Sequence, residues 1–163
     1  MNNIRPITLL DIPRAAEVHV FAWRSTLRGI ISDQFLFGNL LVINSINRFT
    51  DNFNNGIGET FVYDDGIIKG YMMIEPTGPD DDFLFLRALY IDPLMQRDGV
   101  GAQMINFFEE SAKQRGSLTA KLRVIEGNDV ACAFYEKMGY KRDGSRKYLE
   151  KMDAYDIGYV KKL

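Results

Sequence analysis

Between Phe83 and Val124 the chain runs through three kinds of sequence in 42 residues. A nearly continuous apolar run, Phe83 to Ile91, leads through a short loop into an amphipathic stretch, Gly99 to Arg115, and then into a second β-rich run, Leu118 to Val124. The first run has the character of a strand buried on both faces in the middle of a sheet. In the second, Val100, Met104, Phe107, Phe108 and Ala112 share one helical face, and Arg115-Gly116 supplies a basic last turn and a stop. Strand, helix and strand in succession limit the chain to an α/β architecture.

The flanks extend this pattern. Ile4 to Thr8 predicts a short strand, and Asp11 followed by Pro13 a helix start, with Ala15, Ala16, His19, Ala22 and Trp23 along one face. A second helix is expected from Asp33 to about Arg48. Thr60 to Tyr63 and Ile67 to Glu75, joined by Asp64-Asp65-Gly66, predict a hairpin, and Pro76 to Asp82 a loop. Asn128 or Asp129 caps a short helix carrying Ala131, Phe134, Tyr135 and Met138 on one side, which Gly139 ends. Two terminal strands, Tyr140 to Asp143 and Ala154 to Val160, complete a domain with a mixed sheet. No repeat and no linker divides the 163 residues, so one domain, 1–163, is expected.

Composition removes several functions. Apolar residues make up 46% and charged residues 26%, with a formal charge of -2, which excludes disordered classes and argues against nucleic acid as a partner. One cysteine, Cys132, and one histidine, His19, leave no basis for an intramolecular disulfide or a His/Cys zinc site, and no metal is expected. The N-terminus has no charged-then-apolar leader, Asn2 replaces the glycine of a myristoylation signal, and no apolar run is long enough to cross a membrane, so a cytoplasmic protein without membrane partners is expected. There is neither a Gly-x-Ser-x-Gly elbow nor a P-loop.

The chemistry concentrates in Leu89-Tyr90-Ile91-Asp92-Pro93-Leu94-Met95-Gln96-Arg97-Asp98-Gly99-Val100-Gly101-Ala102. A helix start carries N–H groups without internal partners and partial positive charge, which suits a phosphate. Gly99 and Gly101 would let the backbone approach it closely, and Gln96 and Arg97 add donors. Dinucleotide binding is the rival reading, but Met104 stands where the third glycine of that fingerprint belongs. The other reading is an ordinary tight turn.

Strand, Q-x-x-G-x-G and helix together resemble the acetyl-CoA-binding motif of the GNAT superfamily of N-acyltransferases, with Gln96, Gly99 and Gly101 at its three diagnostic positions. Asn128, then Ala131-x-x-Phe134-Tyr135-x-x-x-Gly139-Tyr140, is similar to the second motif of that family, and Val20-Phe21-Ala22-Trp23 through Gly29-Ile30 to its first helix and following loop. The resemblance covers essentially the whole chain. It implies a GNAT-like α/β fold: a central mixed, mostly antiparallel sheet flanked by helices, with a splayed strand pair for acyl-CoA. It also implies acetyl-CoA as co-substrate, direct transfer of acetyl to an amine of a small molecule or peptide, and a homodimer.

Residue by residue, the resemblance gives the backbone of Leu89, Tyr90 and Ile91 to the pantetheine arm. It gives the amides of Arg97, Asp98, Gly99, Val100, Gly101 and Ala102 to the pyrophosphate, with Gln96 beside them. Asn128 and Phe134 fall to the pantetheine side, and Tyr135 to protonation of the departing thiolate. For Asn128 a plain helix N-cap is an equal reading, and for Tyr135 an aromatic core residue. Asp98 departs from the pattern, as an acid where the family commonly has a basic or small residue. Phe85 stands at the position that often presents a glutamate base. Glu75 is the substitute base, working through water, against its reading as a solvated turn carboxylate. Asp80-Asp81-Asp82 reads as a hydrated connection, His19 as a satisfied core histidine and Cys132 as a small helix residue. The segment Trp23 to Gly56 is expected to shape the acceptor pocket. The alternative to an enzyme is the same fold retained as an acyl-CoA sensor or partner-docking domain, and a third reading is a nucleotide-binding regulatory domain.

Overall fold

The computed structural model describes residues 3–75 and 77–163; Met1, Asn2 and Pro76, the first residue of the expected acidic loop, lie outside that range. In chain order the elements are β1 (Ile4–Pro6), α1 (Ile12–Leu27), a π-helical turn (Gln34–Asn39), α2 (Val42–Asn54), β2 (Glu59–Asp64), β3 (Ile68–Glu75), β4 (Phe83–Ile91), α3 (Val100–Gln114), β5 (Thr119–Ile125), α4 (Asp129–Lys137), β6 (Lys141–Leu149) and β7 (Ala154–Lys162). The strands form one seven-stranded sheet in the order β1-β2-β3-β4-β5-β7-β6. Neighbours run antiparallel except β4 and β5, which are parallel and joined through α3.

Helices cover both faces because each strand alternates its side chains between them. On one face Met72, Ile74, Leu84, Leu86, Ala120 and Leu122 meet Val100, Met104, Ile105 and Phe108 of α3 and Cys132 and Tyr135 of α4. Each fully buried side chain of this size stabilises the fold by about 1.5–3 kcal/mol. On the other face Ala15 and Val18 of α1 meet Val62 and Tyr71, with Phe49 of α2 against them. A third cluster joins Val20 and Leu27 of α1 to Leu36, Leu40 and Ala154.

Two elements differ from the sequence expectation. The helix expected from Asp33 to Arg48 is two pieces, because the chain turns at Leu40-Leu41. Leu40 N donates to Phe35 O at 2.8 Å, the wide π spacing. The Arg24 guanidinium holds Leu36 O at 2.9 Å and Leu40 O at 3.1 Å, carbonyls that a continuous α-helix would have consumed. The strand expected over Tyr140 to Asp143 begins at Lys141 and runs to Leu149, with an irregular register between Arg142 and Arg146 around Gly144, whose φ of +87° suits glycine. Its polar side chains are exposed, so hydrophobic pattern could not reveal the extension.

Candidate active site

The site is an opening in the sheet. β4 pairs with β5 from Phe83 opposite Thr119 to Leu86 opposite Leu122, and beyond that point the two strands share no pairs. The cause lies on the other side of β4. Pairing with β3 shifts by one residue between Met73–Ala88 and Ile74–Leu86, which leaves Arg87 as a bulge. A bulge bends its strand and increases the local twist. It also resets the alternation: Leu84 and Leu86 face α3 before it, Leu89 and Ile91 after it, while Ala88 and Tyr90 turn to α1. The strand expected to be buried on both faces is therefore buried fully only at Leu84 and Leu86, and its edge from residue 87 to 91 borders the opening.

β4 ends in a loop with its own supports. Asp92, buried, accepts from Leu94 N at 2.9 Å and holds the Arg14 guanidinium of α1 at 2.6 Å. Gln96 Nε2 reaches back to Ile91 O at 3.4 Å. Arg97 and Gly99 then take φ of +74° and +75°, left-handed backbone on either side of Asp98. The first α3 amide with an acceptor is Gln103 N, bonded to Gly99 O at 3.1 Å; among the described residues the backbone N–H groups from Gly99 to Ala102 make no backbone hydrogen bond within the protein. The side chains of Gln96, Arg97 and Asp98 are exposed and that of Val100 is buried in the core. Lys69, whose pKa is raised first by its bond to Asp65, also feels the charge of Asp98, so this acid faces a cation of its own.

The two glycines have separate reasons, where the sequence suggested one. At Gly99 a Cβ would meet nothing closer than Gln103 Nε2 at 4.0 Å, so the left-handed backbone is the constraint. At Gly101 the backbone is ordinary, and a Cβ would lie 3.3 Å from Phe134 Cζ. Gly101 leaves room for the Phe134 ring of α4 against the first turn of α3.

Across the opening, α4 begins with Asn128, whose Oδ1 accepts from Ala131 N at 3.2 Å. The N-cap reading holds for that oxygen, and the Nδ2 donor has no partner among the described residues. Tyr135, 8% exposed, packs edge-on against Phe134 (centroids 5.2 Å apart) and Tyr140 (5.8 Å). Burial, with a further push from Tyr90, holds its phenol far above the usual range. No hydrogen bond engages the Tyr135 hydroxyl among the described residues.

The α1 face of the opening brings His19 and Trp23 together with Tyr71, Tyr90 and Arg48, whose side chains the sequence did not single out. Tyr71 and Tyr90 are cross-strand partners, and His19 packs edge-on against Tyr90 with centroids 5.3 Å apart. His19 Nδ1 lies 2.7 Å from the Tyr71 hydroxyl, and Nε2 lies 3.0 Å from Arg48 Nη2. A guanidinium only donates, so Nε2 accepts and Nδ1–H donates to Tyr71. Burial, then the charge of Arg48, brings the histidine down to about 3. His19 is thus the satisfied core residue expected, with both ring nitrogens already engaged. Burial pushes Tyr90 up to about 12, against the pull of the Trp23 indole, although Trp23 Nε1 makes no aligned hydrogen bond. Alternation about the Arg87 bulge would have exposed the position of the Tyr90 side chain, but the bulge leaves no mark in the sequence.

Glu75 lies at the other end of this strand pair. It sits opposite Phe85, where β4 and β5 are still paired, and its half-exposed carboxylate is 3.8 Å from Arg87. Among the described residues no group of three or more His, Cys, Asp or Glu is arranged to hold a metal ion, and no helix is long and apolar enough to cross a membrane.

Residues 30–140 match the acetyltransferase (GNAT) family. The chain belongs to that family. A spermidine N(1)-acetyltransferase of Thermoplasma acidophilum is 25% identical over 159 residues, covering 91% of this chain and 96% of the relative. A probable N-acetyltransferase of Mycobacterium tuberculosis is 27% identical over 166 residues, covering 96% and 91%. The fold resembles the crystal structure of PaiA N-acetyltransferase from T. acidophilum in complex with coenzyme A, with a TM-score of 0.74 at 21% identity over 98% of both chains. It also resembles the ribosomal-protein-S18-alanine N-acetyltransferase of Escherichia coli, with a TM-score of 0.67 at 19% identity over 99% of this chain and 94% of that one. The GNAT fold and an acetyl-CoA-dependent amine acyltransferase follow from membership.

Proposed function

We propose that this GNAT chain transfers acetyl from acetyl-CoA directly to the amine of a small molecule or peptide at the β4–β5 opening, within a single domain spanning 1–163. The observation that carries the reading is the continuity of that opening with the unpaired amides from Gly99 to Ala102: a slot bordered by a free strand edge ends at donors without acceptors. These features fit the donor molecule. Leu89, Tyr90 and Ile91 would hydrogen-bond the pantetheine arm through their backbone, and Gln96, Arg97, Asp98, Gly99, Val100, Gly101 and Ala102 would surround the pyrophosphate. Asn128 Nδ2 and the Phe134 ring would hold the arm from the α4 side. When bound, acetyl-CoA supplies an activated acyl group.

A backbone N–H near Leu89 to Ile91 would donate to the thioester carbonyl oxygen, and the Tyr135 hydroxyl would supply the proton for the departing sulfur. Glu75 is the carboxylate available to take the acceptor's proton, but it reaches the opening only through water. Trp23 to Gly56, with the β6–β7 turn beside it, borders the side from which the acceptor enters. A second copy of the chain and a cytoplasmic setting are part of the same proposal. Thiol release from acetyl-CoA over spermidine, free amino acids and peptides with free N-termini tests the reading. Turnover with any of them supports it, whereas tight acetyl-CoA binding with no release on the whole panel would replace it by a sensor.

A further inference from the structure

On the α1 side of the sheet a cavity of about 290 Å³ is lined by Phe49 and Phe53 of α2, Ile57 of the connection to β2, and Tyr71 and Met73 of β3. It is at the small end of the range for ligand pockets. Tyr71 and Met73 are the cross-strand partners of Tyr90 and Ala88, so this wall of the cavity lies one strand away from the β4 edge that borders the opening. Glu59 is the only charged residue on the cavity wall among the described residues. Arg115 holds both of its oxygens, at 2.6 and 2.9 Å, which leaves no unpaired carboxylate there to receive an ammonium group. Arg48 stands beside the cavity. Its Cζ lies 5.3 Å from the centroid of the Phe49 ring, and its Nη2 donates to His19 Nε2 at 3.0 Å. His19 in turn packs on Tyr90 with centroids 5.3 Å apart, so contacts run unbroken from the opening through Tyr90, His19 and Arg48 to the cavity wall at Phe49.

Most arginines of the chain hold a carboxylate. Arg24 holds two carbonyls instead, and Arg48 holds no carboxylate among the described residues. Satisfying His19 Nε2 takes one N–H, which a neutral amide could supply, whereas a guanidinium leaves four N–H groups and a full charge uncommitted. We propose that the cavity and Arg48 together select the acceptor, an amino acid with an apolar side chain. The side chain enters the cavity, the carboxylate meets the Arg48 guanidinium, and the amine turns to the β4 edge. A guanidinium suits a carboxylate because two parallel N–H donors match its two oxygens. Phe53, Ile57 and Met73 offer the side chain apolar surface and exclude water from it. A polyamine is disfavoured by the same groups, since its remote ammonium would face an uncompensated guanidinium and an apolar wall.

This selection rests on the proposed amine transfer at the opening, and the test separates the two. Thiol release is measured with L-phenylalanine, with phenethylamine, which lacks the carboxylate, with glycine, which lacks the side chain, and with spermidine. Wild type should favour phenylalanine over each of the other three by about tenfold or more in kcat/KM. Arg48→Gln keeps an N–H for His19 and removes the charge. It should raise KM for phenylalanine about tenfold, leave kcat within about threefold and change phenethylamine little. Ile57, 53% exposed, can take a larger side chain without disturbing the core, so Ile57→Trp should raise KM for phenylalanine and phenethylamine alike and spare glycine. Acetyl-CoA affinity by calorimetry should be equal in the three proteins. Equal use of phenylalanine and phenethylamine by wild type overturns the proposal without any variant, as does an unchanged KM for phenylalanine in Ile57→Trp. Preference for spermidine overturns it while the amine transfer stands. If no amine turns over although acetyl-CoA binds, the enzyme reading falls, and calorimetry of N-acetyl-L-phenylalanine on the coenzyme A complex decides the cavity: binding that Arg48→Gln weakens about tenfold supports it, and no binding to wild type overturns it.

Discussion

Gly99 and Gly101 stand two residues apart in one motif and answer to different forces. At Gly99 any side chain incurs the left-handed cost of about 1–2 kcal/mol, in the turn proposed to hold the pyrophosphate. At Gly101 the obstacle is Phe134 at 3.3 Å from the added Cβ. Gly101→Ala should therefore lose about 1–3 kcal/mol by overpacking and recover most of it when combined with Phe134→Leu. Gly99→Ala should gain nothing from that second change. Thermal unfolding of the four proteins checks this, and equal rescue of both glycines would refute the division. Asn128 separates in the same way: Asn128→Asp keeps the oxygen that caps α4 and removes the free Nδ2. Stability should change by only a few tenths of a kcal/mol, against about 1 kcal/mol for Asn128→Ala, while coenzyme A affinity should fall in both. A wild-type affinity in Asn128→Asp would reduce Asn128 to a cap.

The β4 bulge is the element that makes the site. Arg87 is the residue without a partner on β3, and deleting it would restore one register from Gly70 to Glu75. Leu89 and Ile91 would then move to the α1 face and Tyr90 to the α3 face, because a one-residue slip inverts every side chain. The deletion should abolish coenzyme A binding and cost several kcal/mol. Arg87→Gly, which keeps the residue count and removes the side chain, should leave binding nearly intact. Calorimetric titration of coenzyme A on both proteins distinguishes a role for the bulge from a role for the guanidinium. The broken helix after α1 is a related case: Arg24 donating to Leu36 and Leu40 carbonyls outweighs a hydrophobic periodicity that had favoured one continuous helix.

At the scale of the molecule, charge ties the N-terminal segment to the sheet. Arg5 of β1 binds Asp11 at 2.7 Å, ahead of α1, and Asp64 of β2 at 2.7 Å. The bond from Arg5, opposed by burial and helped by Thr8, lowers Asp11 from 3.8 to about 2. A depressed carboxylate contributes its stability above the unfolded pKa and loses it as pH falls through the folded one. Wild type should accordingly lose on the order of 2 kcal/mol between about pH 4 and 2, and Asp11→Asn should unfold lower at neutral pH yet show a flatter profile across that window. Melting curves from pH 7 to 2 check the sign. Coenzyme A affinity should also weaken with ionic strength, less steeply in Arg97→Ala, if the guanidinium helps to hold the pyrophosphate.

Much of this was legible in one dimension. Strand, two-glycine loop and helix, with the Asn128 to Tyr140 segment behind them, carry their information in local turn chemistry and in 3.6- and 2-residue periods, so the α/β order and the acetyl-CoA motif could be read from neighbouring residues alone. The long β6 escaped because its exposed side chains obey no hydrophobic period. The opening escaped because a bulge is a relation between β3 and β4, and the place of Tyr90 beside His19, Trp23 and the gap depends on that relation. Which face a side chain reaches is settled by register across strands distant in the chain, and register is a property of the assembled sheet.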